Sequence, residues 1–149
     1  MATDILVIDD EKDITSLISD ILSDEKFITR VANNSDQALK ALAERVPTAI
    51  ILDIWLQGSE LDGLGILEIV QKKYPHVPVV MISGHGNIET AVTAIRLGAY
   101  DYIEKPSTKP SDIIGTAKTV FRTGMAAQKK AVRYGKAKNR RKKWQIQMD

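Results

Sequence analysis

Asp9 and Asp10 close the apolar run ILVI, Asp53 closes AIIL, Ser83 follows VVMI, and Lys105 follows YDYIE. Three carboxylates, a hydroxyl and an ammonium make a set suited to one divalent cation and one phosphoryl group. A hard cation such as Mg²⁺ takes oxygen ligands, typically one or two carboxylates together with phosphate oxygens. Two carboxylates about 4 Å apart repel by roughly 4 kcal/mol at an effective dielectric of about 20, so Asp9, Asp10 and Asp53, once gathered, favour a cation between them. Phosphoryl transfer rests mostly on positioning and charge stabilisation. In that scheme Asp53 is the reacting group and Lys105 supplies a fixed positive charge. The Ser83 hydroxyl and the Gly84 amide each hold a phosphate oxygen.

These residues meet only if the runs before them are strands of one parallel sheet, whose C-terminal ends share an edge. The pattern supports this. Residues 4–8, 27–31, 49–53, 77–82 and 100–104 are short, rich in Val and Ile, and separated by helix-period segments. Ile14, Leu17, Ile18, Ile21 and Leu22 fall at i, i+3, i+4, i+7 and i+8, a helix face. Ser35 is placed to cap a helix carrying Leu39, Leu42 and Ala43 that ends before Pro47. Asp62 caps a third through Leu67 and Val70, stopping before Pro75. Asn87 caps a fourth, whose inward face is Ile88, Ala91, Val92 and Ile95, with Gly98 just past its end. Ser111 or Asp112 opens a fifth helix with Ile113, Ala117, Val120 and Phe121 inward, weakened by Gly115 and Gly124 at about 1 kcal/mol each. Alternating strands and helices with short connections define an α/β doubly wound sheet.

Taken singly, each signal has a plainer reading. An Asp-Asp pair after a strand is commonly a turn or a helix cap, Ser83-Gly84 is turn chemistry, and Lys105-Pro106 is an exposed strand end. Their joint occurrence at successive strand ends favours the phosphoryl site. Gly84-His85-Gly86 lacks the third glycine of a dinucleotide loop, and His76 and His85 have no Cys or His partner at ligand spacing. Tyr100 and Tyr102 alternate along the last strand as packing residues.

Composition sets wider bounds. The 149 residues suffice for one domain, 44% apolar and 27% charged, as in an ordinary globular protein. No apolar stretch reaches the length of a membrane span, MATDILVIDD is too acidic for a secretory leader, and the absence of Cys suits the cytoplasm. Charge is divided sharply. Residues 1–106 carry 9 Lys and Arg against 17 Asp and Glu, a net of −8, whereas residues 107–149 carry 12 against 2, a net of +10. The segment 125–149 reads as a basic tail without apolar periodicity.

On ILVIDDE, on Asp53 closing AIILD, on VVMISG and on YDYIEKP, residues 4–106 resemble the receiver domain of two-component response regulators. The stretch DIWLQGSELDGLGIL, whose loop lacks Met-Pro and sets Asp62-Gly63 further on, is most similar to the NtrX-type branch of nitrogen regulation. The resemblance implies a flavodoxin-like (CheY-like) five-stranded parallel sheet of order 2-1-3-4-5 with helices on both faces, and a receiver domain spanning 1–124. It implies that Asp53 accepts phosphate from a sensor histidine kinase. Mg²⁺ would be held by Asp10, Asp9, Asp53 and the Trp55 backbone carbonyl. Ser83 and Tyr102 take the switch positions and Lys105 the phosphate-binding lysine. The fourth helix, fifth strand and fifth helix then form the output surface, which could join two copies in a homodimer.

Other features depart from that family. Ser107 follows Lys105-Pro106 where receivers usually carry an aromatic, and the basic composition begins there, which points to a shifted reading frame or an engineered or degenerate gene end. NtrX-type proteins continue into an ATPase domain and a helix-turn-helix, for which residues 107–149 are too few. Two rival functions are weighed. KAKNRRKKW sets a Trp beside a basic cluster able to grip nucleic-acid phosphates and stack a base, though a solvated tail has the same composition. An aspartyl phosphohydrolase would need a second acid two residues after its nucleophile, where this chain has Trp55. A switch is favoured over a catalyst.

Overall fold

The computed structural model describes residues 4–84 and 88–104, with the isolated positions 115 and 118. Lys105, the Asn87 cap, the fifth helix from about 111 apart from positions 115 and 118, the tail 125–149 and the compositional break at 107 lie outside the described residues.

Five strands, β1 (Asp4–Ile8), β2 (Ile28–Ala32), β3 (Ala49–Asp53), β4 (Val79–Ser83) and β5 (Asp101–Glu104), alternate with helices α1 (Lys12–Asp24), α2 (Ser35–Glu44), α3 (Gly63–Lys73) and α4 (Ile88–Arg96). Every strand pair is parallel and the order is β2-β1-β3-β4-β5. β1, β3 and β4 are buried along their whole length, which explains their unbroken Val and Ile runs. The edge strands β2 and β5 are only partly covered.

Side chains alternate across the sheet and sort into two cores. Leu6, Ile8, Ile50, Leu52 and Met81 pack with Leu42 of α2, Ile66, Leu67 and Val70 of α3, and Ala94 of α4. Ile5, Val7, Ile51, Val80 and Ile82 face the other way, in the core that holds Ile18 and Leu22 of α1. No helix among the described residues is long and apolar enough to cross a membrane.

Three local expectations are corrected. First, α2 is capped by Asn34, whose side chain accepts from the Gln37 N–H at 2.9 Å; Ser35 is its first helical residue and is buried. Both residues are good cap formers, so spacing alone does not separate them. Second, the strands β2, β4 and β5 start one or two residues later than expected. Pro78 stays outside β4, and its carbonyl accepts from the Ile50 N–H at 3.0 Å. Third, α4 is rotated from the expected face. Ala94 is buried and Leu97 packs on the core, while Ile88, Val92 and Ile95 are 83, 42 and 47% exposed. Two apolar faces compete on this helix, and the small Ala94 admits a closer approach to the sheet than the branched residues do.

At the N-terminal end of β1, a buried acid is neutralised within the fold. Arg30 of β2 donates to Asp4 Oδ1 (3.2 Å) and Oδ2 (3.0 Å), and Arg45 Nε donates to Asp4 Oδ2 at 2.9 Å. Arg30 also donates to the carbonyls of Ala41 and Arg45 at 2.6 Å, satisfying the C-terminal end of α2.

Candidate functional site

The register of the sheet brings the chemistry together at its opposite end. Ile8 pairs with Leu52, so Asp9 and Asp53 leave their strands at the same level, and Asp53 pairs with Ile82, one residue before Ser83. Ser83 in turn pairs with Glu104, the residue before Lys105. Carboxylate oxygens of Asp9, Asp10 and Asp53 lie within 4.8 Å of one another. Asp9 is fully buried, Asp53 is 5% and Ser83 1% exposed, and Asp10 is half-buried.

At that separation two of these charges repel by about 3 kcal/mol at an effective dielectric of about 20. The donor set, three carboxylates from two strand ends, fits a hard cation with oxygen preference. An open cleft of ≈ 190 Å³ lies beside it, lined by Asp10, Glu11, Asp53, Trp55, Gln57, Ser83 and Gly84. That volume admits a phosphoryl group and its counter-ion.

Local structure holds each acid. Asp9 Oδ1 accepts from the Glu11 N–H at 2.9 Å, so Asp9 closes the turn into α1 as well as facing the other acids; the plainer reading of this pair therefore also holds. Asn33 Nδ2 donates to the Asp9 carbonyl at 2.8 Å and to Thr15 Oγ1 at 3.2 Å, tying β1, α1 and the end of β2 together. The Gln57 N–H donates to Asp10 Oδ2 at 3.2 Å. Below Asp53, Gly63 opens α3 against the end of β3, where its N–H donates to the Ile54 carbonyl at 2.9 Å. A Cβ at Gly63 would fall 2.8 Å from Ile54 Cα and collide with the Asp53 carbonyl oxygen. Only glycine permits this approach.

Trp55 lines the cleft with 53% of its surface exposed. Tyr102 stands apart from the cleft lining: its ring packs against the core shared by α2, α3 and α4, and its hydroxyl is buried with no hydrogen-bond partner among the described residues. The structure thus gathers Asp9, Asp10, Asp53, Trp55, Ser83 and Gly84, keeps Tyr102 one strand away, and does not describe Lys105. Sequence reasoning missed Asn33 and Gln57, because one acts through a side-chain amide on a carbonyl and the other through its backbone N–H. Nothing in residue type signals either.

A parallel sheet with this order and an acidic pocket at its C-terminal edge is the CheY-like arrangement. Residues 5–118 match the response regulator receiver domain family, and the chain belongs to it. It is 66% identical over 103 residues to an NtrX-like response regulator of Rickettsia bellii, covering 69% of this chain and 22% of that protein. It is 61% identical over 106 residues to the nitrogen assimilation regulatory protein NtrX of Azorhizobium caulinodans, covering 71% of this chain and 23% of that protein. The crystal structure of the receiver domain of NtrX from Brucella abortus superposes with a TM-score of 0.72 at 57% identity, covering 80% of this chain and 99% of that one. The chain spans less than a quarter of the length of the curated relatives it matches.

Proposed function

We propose that this domain is the phosphoacceptor of a two-component relay, in which a sensor kinase phosphohistidine passes its phosphoryl group to Asp53. One observation carries the reading: carboxylate oxygens of Asp9, Asp10 and Asp53 lie within 4.8 Å of one another beside a cleft whose lining includes Ser83 and Gly84. A carboxylate oxygen of Asp53 attacks phosphorus, the P–N bond to the histidine breaks, and the imidazole leaves with that electron pair. Mg²⁺, bound by Asp9, Asp10, Asp53 and the Trp55 carbonyl, would offset the charge of the carboxylates and of the incoming oxygens. Ser83, the Gly84 N–H and Lys105 hold the transferred oxygens.

Signalling is then a shift of population toward the arrangement that binds the phosphoryl group better. Tyr102 suits a switch role: its hydroxyl is buried with no hydrogen-bond partner among the described residues, so a rearrangement that gives it one is favoured. The output surface runs over α4 and β5. Its exposed Ile88, Val92, Ile95 and Tyr100 offer an apolar contact for a second copy or another domain. Likeness to the nitrogen assimilation regulatory protein NtrX of Azorhizobium caulinodans supports a role for the domain in nitrogen-related regulation in the cytoplasm. Acetyl phosphate with Mg²⁺ should produce a retarded band on a phosphate-affinity gel for the wild type and none for Asp53→Asn; equal labelling of both refutes the assignment.

A further inference from the structure

A chain of contacts runs from α2 to the acidic cluster without entering the transfer chemistry. Ser35 is 2% exposed and lies outside the cleft lining. Its hydroxyl accepts from the Leu61 N–H at 3.2 Å, and its own N–H donates to Ser59 Oγ at 2.8 Å. Both partners belong to the loop between β3 and α3. Leu56, 7% exposed, and Leu61 anchor that loop on the core, and Gly58 turns it at a φ of +69°. Between these anchors the Gln57 N–H reaches Asp10 Oδ2 at 3.2 Å. One end of the loop is therefore held by α2 while its apex holds a carboxylate.

We propose that Ser35 is a positioning residue that sets the affinity of the acidic site for Mg²⁺, acting through the loop on Asp10. The clamp on residues 59 and 61 fixes the Gln57 N–H, and that N–H fixes the direction in which Asp10 presents its oxygens. Each carboxylate oxygen retains a lone pair for a cation after accepting one hydrogen bond. A carboxylate oriented in advance loses less rotational freedom when it takes a ligand. The inference rests on the magnesium reading above. Since one hydrogen bond contributes a factor of roughly 2–10 in an equilibrium constant, loss of the clamp should weaken binding by about that factor.

The test is a calorimetric Mg²⁺ titration of the full chain, as wild type, Ser35→Ala, Ser59→Ala and Ser35→Thr, with amide exchange of Gln57 measured on the metal-free proteins. Both alanine variants should bind Mg²⁺ about 2- to 10-fold more weakly and exchange Gln57 faster, and Ser35→Thr, which keeps the hydroxyl, should restore both. A lowered melting temperature with wild-type Mg²⁺ affinity and wild-type exchange at Gln57 would mean that the clamp is structural, and would overturn the inference while leaving the phosphoacceptor reading intact. Wild type that binds no Mg²⁺ would remove both. Should Ser35→Ala fail to fold, Ser59→Ala, altered at a half-buried loop position, decides the matter alone.

Discussion

At one end of the sheet a buried acid meets two guanidinium groups; at the other, three acids meet one another. Asp4 is held by Arg30 and Arg45 at 2.9–3.2 Å, and Arg30 reaches on to two carbonyls at the end of α2. Asp9, Asp10 and Asp53 bring their oxygens within 4.8 Å beside an open cleft. The first arrangement is complete within the fold and contributes stability. In the second, like charges are gathered at a cost that a cation from solution would offset. Acids of the same type, on the same β1 strand or just past its end, thus serve opposite purposes, and the difference lies in what each faces.

Removing an acid should therefore change stability with opposite sign at the two ends. The largest effect is expected for Asp4→Ala, which strands two arginines: a loss of about 2–3 kcal/mol in urea unfolding, below the roughly 3–5 kcal/mol of a fully buried pair because the Arg45 side chain is 57% exposed. Gly63→Ala should cost about 1–3 kcal/mol by forcing α3 away from the Asp53 carbonyl, and should slow Asp53 labelling by acetyl phosphate as well, a combination Asp4→Ala should not show. Asp9→Asn should go the other way. Relieving part of the like-charge repulsion raises metal-free stability by about 1 kcal/mol, and the stabilisation gained on adding Mg²⁺ disappears. Smallest of all, Val92→Ser on the outer face of α4 should stay within about 0.5 kcal/mol of wild type, because that side chain is already 42% exposed. A loss above about 2 kcal/mol there would mean that α4 turns this face to the core after all.

The same contrast marks how far the residues alone could be read. The strand ends bearing Asp9, Asp53 and Ser83 were legible because short Val- and Ile-rich runs stop at them and the intervening segments have helical period. Parallel order then requires those ends to share an edge, and they do. The Asp4 network was not legible, since Arg30 and Arg45 read as ordinary charged residues until β2 and α2 are packed against β1. Nor was the rotation of α4, where period fixes the helix but two apolar faces leave its phase open. Asn34 and Ser35 show the same limit at smaller scale. Either can cap α2, and what separates them is a partner in the loop before α3, which only the fold supplies.

The most direct measurement is a ¹⁵N NMR titration of the wild-type chain with Mg²⁺. The amides of Asp9, Asp10, Ile54 and Trp55 should move together along one saturating curve with a single midpoint, and Asp10→Asn should flatten that curve at all four. Separate midpoints, or amides that stay still as Mg²⁺ is added, would contradict a shared cation among these three carboxylates.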